Sequence, residues 1–169
     1  MVNVLFLCTG NSARSVLAEA LMNHWGEGRF RAYSAGSQPT GRINPLAIQL
    51  LAGVGMTDYQ DRSKSWDEFA ADTPSMDLIF TVCDSAAAET CPIWPGHPTT
   101  AHWGTEDPAQ AEGSEDERMA AFQRAFRILQ HRVKSCVELP VERLGAEALR
   151  RRLVEIGRSL PDSEDREVK

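Results

Sequence analysis

No stretch of the 169-residue chain approaches the roughly 20 consecutive apolar residues that a membrane span requires, so none is expected. The apolar opening Val2 to Leu7 has no basic leader before it and no small-residue cleavage site after it, so it is not read as a signal peptide. A cytoplasmic location is the default expectation. Positive charge is also short: 18 Lys and Arg stand against 24 Asp and Glu, for a net charge of -6. A nucleic-acid surface, which needs a concentrated basic face, is therefore not expected. An anionic ligand gains nothing from the average field of such a chain. Any anion site must be local, built from backbone N–H groups and one or two arginines. Internal repeats are missing too. Cysteine is sparse and unevenly spread, at positions 8, 83, 91 and 136. In a cytoplasmic chain such cysteines are read as free, redox-active or metal-bound rather than as structural disulfides.

What is present suits one compact domain. Val2 to Leu7 is a short apolar run with β-branched members and reads as a buried strand. Val16, Leu17, Ala20, Leu21 and Trp25 then recur at helical spacing. Phe30 to Ser34 reads as a second strand, ended by Ala35-Gly36, and Asn44-Pro45 has the form of a helix start. Asp77 to Val82 and Thr99 to Trp103 give two more strands. Ser114 to Glu117 has the form of a capping box and opens the longest helix, which runs on to Cys136. A last amphipathic helix is expected over Val141 to Ile156. Strands alternating with helices predict an α/β fold, a four-stranded parallel sheet with right-handed crossovers. The first strand leads straight into a turn at Cys8, which puts that turn at the carboxyl end of the sheet, where open α/β sheets bind ligands.

The turn reads Cys8-Thr9-Gly10-Asn11-Ser12-Ala13-Arg14-Ser15. Gly10 and Asn11 tolerate left-handed backbone angles, so the loop can curl with its N–H groups inward. Such a nest at the positive end of a helix dipole binds a tetrahedral anion. Arg14 adds a planar fork for two oxygens, and Thr9 through Ser15 become the candidate oxyanion-binding residues. The same field is expected to lower the pKa of Cys8 below that of a free thiol, with Ser15 as a donor to the sulfur. A lone cysteine at a strand end is usually a packed structural thiol. Cysteine, glycine and arginine at this spacing, on a strand-to-helix turn, favour a catalytic nucleophile.

Cys8-x5-Arg14-Ser15 after an N-terminal strand resembles the low-molecular-weight protein tyrosine phosphatase fold. CTGNSARS resembles more closely the arsenate reductases built on that fold, over Val2 to about Pro140. The resemblance implies a phosphatase-like arsenate reductase domain over 1–140, a C-terminal helical extension over 141–158 and a flexible tail over 159–169. Phosphate and arsenate share a geometry, so the loop leaves both a phosphatase and a reductase open. A reductase must pass two electrons and needs further thiols. By resemblance to the thioredoxin-coupled enzymes, Cys83 attacks the Cys8–arsenic adduct, Cys91 then attacks Cys83, and thioredoxin reduces the Cys83–Cys91 disulfide. Glutaredoxin with a low-molecular-weight thiol is the alternative donor. Two other readings of these thiols are a zinc site with His97 and His102, and a pair of core thiols. Cys136 falls on the apolar stripe of the long helix and is read as core.

Asp107, in an Asp-Pro pair, matches the general-acid loop of both families, and Glu106 is the fallback acid. Ala109 stands where phosphatases carry an aromatic residue, while His102-Trp103-Gly104 resembles the reductases. Some of these reductases hold a potassium ion behind the loop, and Asn11, Glu19 and Ser34 match oxygen-ligand positions. The aspartate near position 65 is replaced by Lys64 or Ser65, and an ammonium can take the place of the ion. No cofactor is expected. The expected function is arsenate reduction to arsenite for arsenic detoxification, with phosphate or sulfate as binding analogues and weak phosphatase activity on the side. The alternative is a low-molecular-weight tyrosine phosphatase.

Overall fold

A computed structural model describes residues 1–70, 75–84, 86, 94 and 96–162. Four strands, β1 (Val2–Cys8), β2 (Phe30–Gly36), β3 (Leu78–Thr81) and β4 (Thr99–His102), form one parallel sheet in the order β2-β1-β3-β4. Among the described residues five α-helices flank it: α1 (Arg14–Trp25), α2 (Pro45–Gly53), α3 (Asp67–Ala70), α4 (Glu115–Val137) and α5 (Ala146–Arg158). This is the expected four-stranded α/β architecture with its additional C-terminal helix. None of the described helices is long and apolar enough to cross a membrane.

The central strand is buried on both faces, as a parallel strand covered by helices must be. Val4 and Phe6 point into a core shared with α1, α2, α4 and α5, while Leu5 and Leu7 point into a second cluster with Ala35, Phe69 and Ile79. The alternation follows from the two-residue repeat of a strand. Two helix starts follow their sequence signals. Asn44 Oδ1 accepts from Leu46 N (2.9 Å) at the start of α2, and Ser114 Oγ accepts from Glu117 N (3.1 Å) at the start of α4.

The last helix begins later than the expected Val141. Residues 141–144 form a turn in which Arg143 N and Leu144 N donate to the Pro140 carbonyl (2.9 and 3.2 Å), and Gly145 caps α5. Burial of Val141 in the main core holds that turn against the underside of the fold. The short α3 and a 3-10 turn over Pro108–Gln110 carry too little periodicity to be read from sequence. The part of the expected tail from 163 to 169 lies outside the described residues.

α5 closes the β4 side of the sheet. Trp103, fully buried and stacked on Phe80 at 3.9 Å, donates from its indole N–H to the Leu153 carbonyl (2.9 Å). Gly157 makes this approach possible, because a Cβ there would sit 2.5 Å from the His102 carbonyl and 2.6 Å from the Trp103 ring. Both obstacles are firmly packed, so α5 would have to move. Gly157→Ala is therefore expected to lower stability by about 1–3 kcal/mol, read as a lower denaturation midpoint at unchanged m-value.

Candidate active site

The loop after β1 is held from outside by its carbonyls. Thr9 O accepts from Gln38 N (2.9 Å), Gly10 O from Thr40 N (3.0 Å) and Ser63 Oγ (3.0 Å), and Ser12 O from Asn44 N (2.8 Å). With these three carbonyls tied to residues outside the loop, its N–H groups are the backbone groups left for an anion. Asn11 takes the left-handed conformation (φ 46°) that closes the curl. Its Oδ1 accepts from Lys64 N (2.7 Å) and its Nδ2 donates to Ser15 Oγ (2.9 Å). Ser15, expected as a donor to the sulfur, accepts here from Asn11 and so braces the loop. α1 opens at Arg14 with no side-chain cap and no acidic residue in its first turn. Its first N–H groups and positive dipole end are thus left uncapped by any side chain among the described residues. Gly36 backs the loop: a Cβ would run into the Thr9 carbonyl and lie 2.9 Å from that of Cys8. Sequence reasoning passed over this residue, although its place at the end of β2, beside the loop strand, was the available signal.

Arg14 reaches across the crevice. Its Nη1 donates to the Thr105 carbonyl (2.8 Å), and its Nη2 lies 3.5 Å from Asp107 Oδ2. Its Nε is buried and has no partner among the described residues, so a donor stands ready for an anion oxygen. Asp107 is fixed by its other oxygen, which accepts from Ala109 N (3.0 Å) at the start of the 3-10 turn. The sequence-predicted acid and arginine thus meet, 93 positions apart. Glu106, the fallback acid, lines the same crevice, whose volume is about 1170 Å³.

Cys83, the residue after Val82 at the carboxyl end of β3, is brought to Cys8 by the β1–β3 pairing, and the two sulfurs share a hydrogen bond. Cys83 Sγ also receives the Ala86 N–H (3.4 Å) and lies 3.7 Å from the Thr9 hydroxyl. The hydrogen bond from Cys8 lowers the Cys83 thiol to about 5, against the opposing effect of burial. Cys8 moves the other way. The same hydrogen bond, aided by burial, outweighs Arg14 and pushes it above the ordinary thiol range. Against the expectation of a lowered Cys8, contact with Cys83 pushes Cys8 up, and the two thiols lose their first proton early as one coupled pair. Alkylation of the pair by iodoacetamide should therefore rise with pH through an inflection near 5. An inflection only near 8 to 9 would show two independent thiols.

Cys91 lies outside the described residues. Of the two histidines considered with it, His102 is engaged elsewhere: its ring nitrogens pair with Thr81 Oγ1 (2.7 Å) and Asp84 Oδ1 (2.8 Å). Cys136 is completely buried in the core, and burial pushes its thiol up to about 12.

Behind the loop, Glu19 and Lys64 are both buried, with Lys64 Nζ 3.8 Å from Glu19 Oε1. Glu19 also accepts from the Ser34 hydroxyl (2.6 Å) and Gln60 N (2.6 Å), and Lys64 Nζ donates to the Arg62 carbonyl (2.9 Å). Burial raises Glu19 and lowers Lys64, each against the attraction of the other. An ammonium already stands beside the carboxylate that a potassium ion would need, so these residues do not fit that ion.

A thiol-bearing anion loop, an arginine and a carboxylate from a distant Asp-Pro turn coincide with one family model over residues 3–151, that of the low molecular weight phosphotyrosine protein phosphatases. The chain belongs to that family. The chain is 38% identical over 136 residues to an arsenate reductase of Shouchella clausii, covering 80% of this chain and 94% of the relative. It is 37% identical over 135 residues to an arsenate reductase of Bacillus subtilis, with the same coverage. A crystal structure of an arsenate reductase from Archaeoglobus fulgidus superposes with a TM-score of 0.64 at 31% identity, over 80% of this chain and 99% of that one. The phosphatase-family fold is therefore shared with relatives named for a redox reaction.

Proposed function

We propose that the protein reduces arsenate to arsenite. The observation that carries this reading is the second thiol: Cys83 stands against Cys8 and Thr9 beside the anion loop, where hydrolysis has no use for it. The similarity to arsenate reductases at 37–38% identity supports it. Arsenate is held by the N–H groups of the loop from Thr9 to Ser15 and by the Arg14 fork, as phosphate or sulfate would be.

Cys8 passes its proton to Cys83 along their hydrogen bond, which puts the negative charge beside Arg14. The Cys8 thiolate attacks arsenic of dihydrogen arsenate, and a hydroxyl leaves as water with the proton of Asp107. The Cys83 sulfur then attacks Cys8. A sulfur–sulfur bond forms, the sulfur–arsenic bond breaks, and its electron pair stays on arsenic, which leaves as arsenite with the Cys83 proton. Two thiols have supplied two electrons. Cys91 attacks Cys83 next, releasing Cys8 as a thiol, and a dithiol protein of the thioredoxin type reduces the Cys83–Cys91 disulfide while becoming a disulfide itself. The reaction is assigned to the cytoplasm, where reduced donors of this type are maintained.

The test is arsenate-dependent arsenite formation with thioredoxin and glutaredoxin systems in parallel. Turnover with thioredoxin alone is the expected result. Rapid hydrolysis of phosphotyrosyl peptides with no arsenite formed would establish the phosphatase reading instead. No metal takes part in this scheme, so turnover should be the same in potassium and sodium salts at matched ionic strength. A potassium-dependent gain would place the ion beside Glu19 after all.

A further inference from the structure

Arg132, on α4, is 4% exposed and has no carboxylate partner among the described residues, although a guanidinium stays charged when buried. A buried charge of this kind persists only where its donors are satisfied. Its Nη1 donates to the Gly104 carbonyl (2.9 Å) and to Thr105 Oγ1 (3.2 Å), and its Nε donates to the Ser159 carbonyl (3.3 Å). All three acceptors lie outside α4. Two belong to the segment that carries Asp107, and the third is the first residue after α5.

Thr105 is the meeting point. Its N–H donates to the Val82 carbonyl (3.1 Å), beside Cys83, and its own carbonyl accepts from Arg14 (2.8 Å). Its hydroxyl accepts from Arg132 and donates to the Trp103 carbonyl (3.2 Å). One residue is thus gripped by an arginine from the anion loop and an arginine from α4, two positions before Asp107. Gly104 is closely approached as well, since a Cβ there would meet the His102 ring at 2.6 Å. Ser159 lies beyond residue 151, where the family model ends.

We propose that Arg132 is a positioning residue for the acid loop, clamping Gly104 and Thr105 so that the Asp107 carboxyl faces the anion loop, with the carbonyl of Ser159 completing the clamp from the C-terminal segment. This rests on the reading of Asp107 as the general acid. Arg132 touches no reacting atom. Its effect is to keep the Asp107 proton within reach of the departing oxygen, so its loss should slow the step that needs the proton and leave anion binding alone.

The experiment is a double-mutant cycle on the full chain, read by single-turnover loss of titratable thiols after arsenate addition and by competition with inorganic phosphate. Asp107→Asn should slow thiol loss on the order of 10²-fold, the lower range for general-acid catalysis. Arg132→Met should slow it roughly tenfold with an unchanged phosphate constant, and Arg132→Lys, which keeps charge but not the fork, should fall between. In the Asp107→Asn background Arg132→Met should cost nothing further. An equal cost in both backgrounds, or a weakened phosphate constant, reduces Arg132 to a fold-stabilising residue and overturns the proposal. A normal rate for Arg132→Met beside a slow Asp107→Asn overturns it alone, while a normal rate for Asp107→Asn removes the acid assignment and the proposal with it. Where Arg132→Met does not fold, Thr105→Val carries the same cycle: a severalfold loss confined to the Asp107 background is expected, and no loss overturns the clamp.

Discussion

Cys8→Ser should abolish arsenate-driven thiol loss, by at least about 10⁴-fold, while phosphate still binds. A serine hydroxyl ionises far too weakly to attack arsenic, yet it leaves the outward-tied carbonyls and the Arg14 donors of the loop in place. Position 8 has a second readout at a distance. The Cys83 thiol is lowered to about 5 chiefly by its hydrogen bond from Cys8. Cys8→Ala, which removes the donor that serine would retain, should return Cys83 toward an ordinary thiol, so its alkylation at pH 6 should slow sharply and its inflection should move upward. Residual arsenate reduction close to the wild-type rate would remove Cys8 from the chemistry.

Cys83→Ser separates the two halves of the reaction. Arsenate should still bind, and Cys8 should still form its adduct, but arsenite should not be released through a disulfide. Multiple turnover should fall at least about 10³-fold, because no other described thiol lies beside Cys8. Cys136 is sealed in the core and cannot substitute. In Cys83→Ala, which has no side-chain group to hydrogen-bond, the contact that raises Cys8 disappears, leaving burial opposed by Arg14. Cys8 should therefore titrate lower in this variant than in the native pair, seen as faster alkylation of Cys8 at neutral pH. Sustained multiple turnover by Cys83→Ser would sink the relay and leave Cys8 as a lone nucleophile.

The site was legible from sequence to an uneven degree. Cys8, Gly10, Asn11 and Arg14 act within a single strand–turn–helix unit, and the conformations they need are written in their own side chains and neighbours. The strand periodicities of Val2 to Leu7 and Asp77 to Val82 placed Cys8 and Cys83 at the same end of the sheet. They did not show that the sulfurs would share a proton. The lowered thiol was expected at Cys8, from Arg14 and the helix end, and belongs instead to the coupled pair because a direct hydrogen bond outweighs the more diffuse field. Thr105 and Arg132 were missed for a related reason. A threonine in a loop and an arginine on a helix have no local pattern, and their roles appear only when α4, β4 and the end of α5 are packed together.

The sequence by itself determined the nucleophile loop, the alternating α/β order, the helix caps at Asn44 and Ser114, and the supply of spare thiols. Each depends on residues within a few positions of one another, where torsional preference and hydrogen-bonding reach act directly. Tertiary structure alone decided that Cys8 and Cys83 titrate as a pair, that the Lys64 ammonium lies against Glu19, and that two arginines grip the acid loop. Those outcomes depend on burial and on contacts between residues 27 to 91 positions apart in sequence, in a low-dielectric interior where a single contact outweighs the average field.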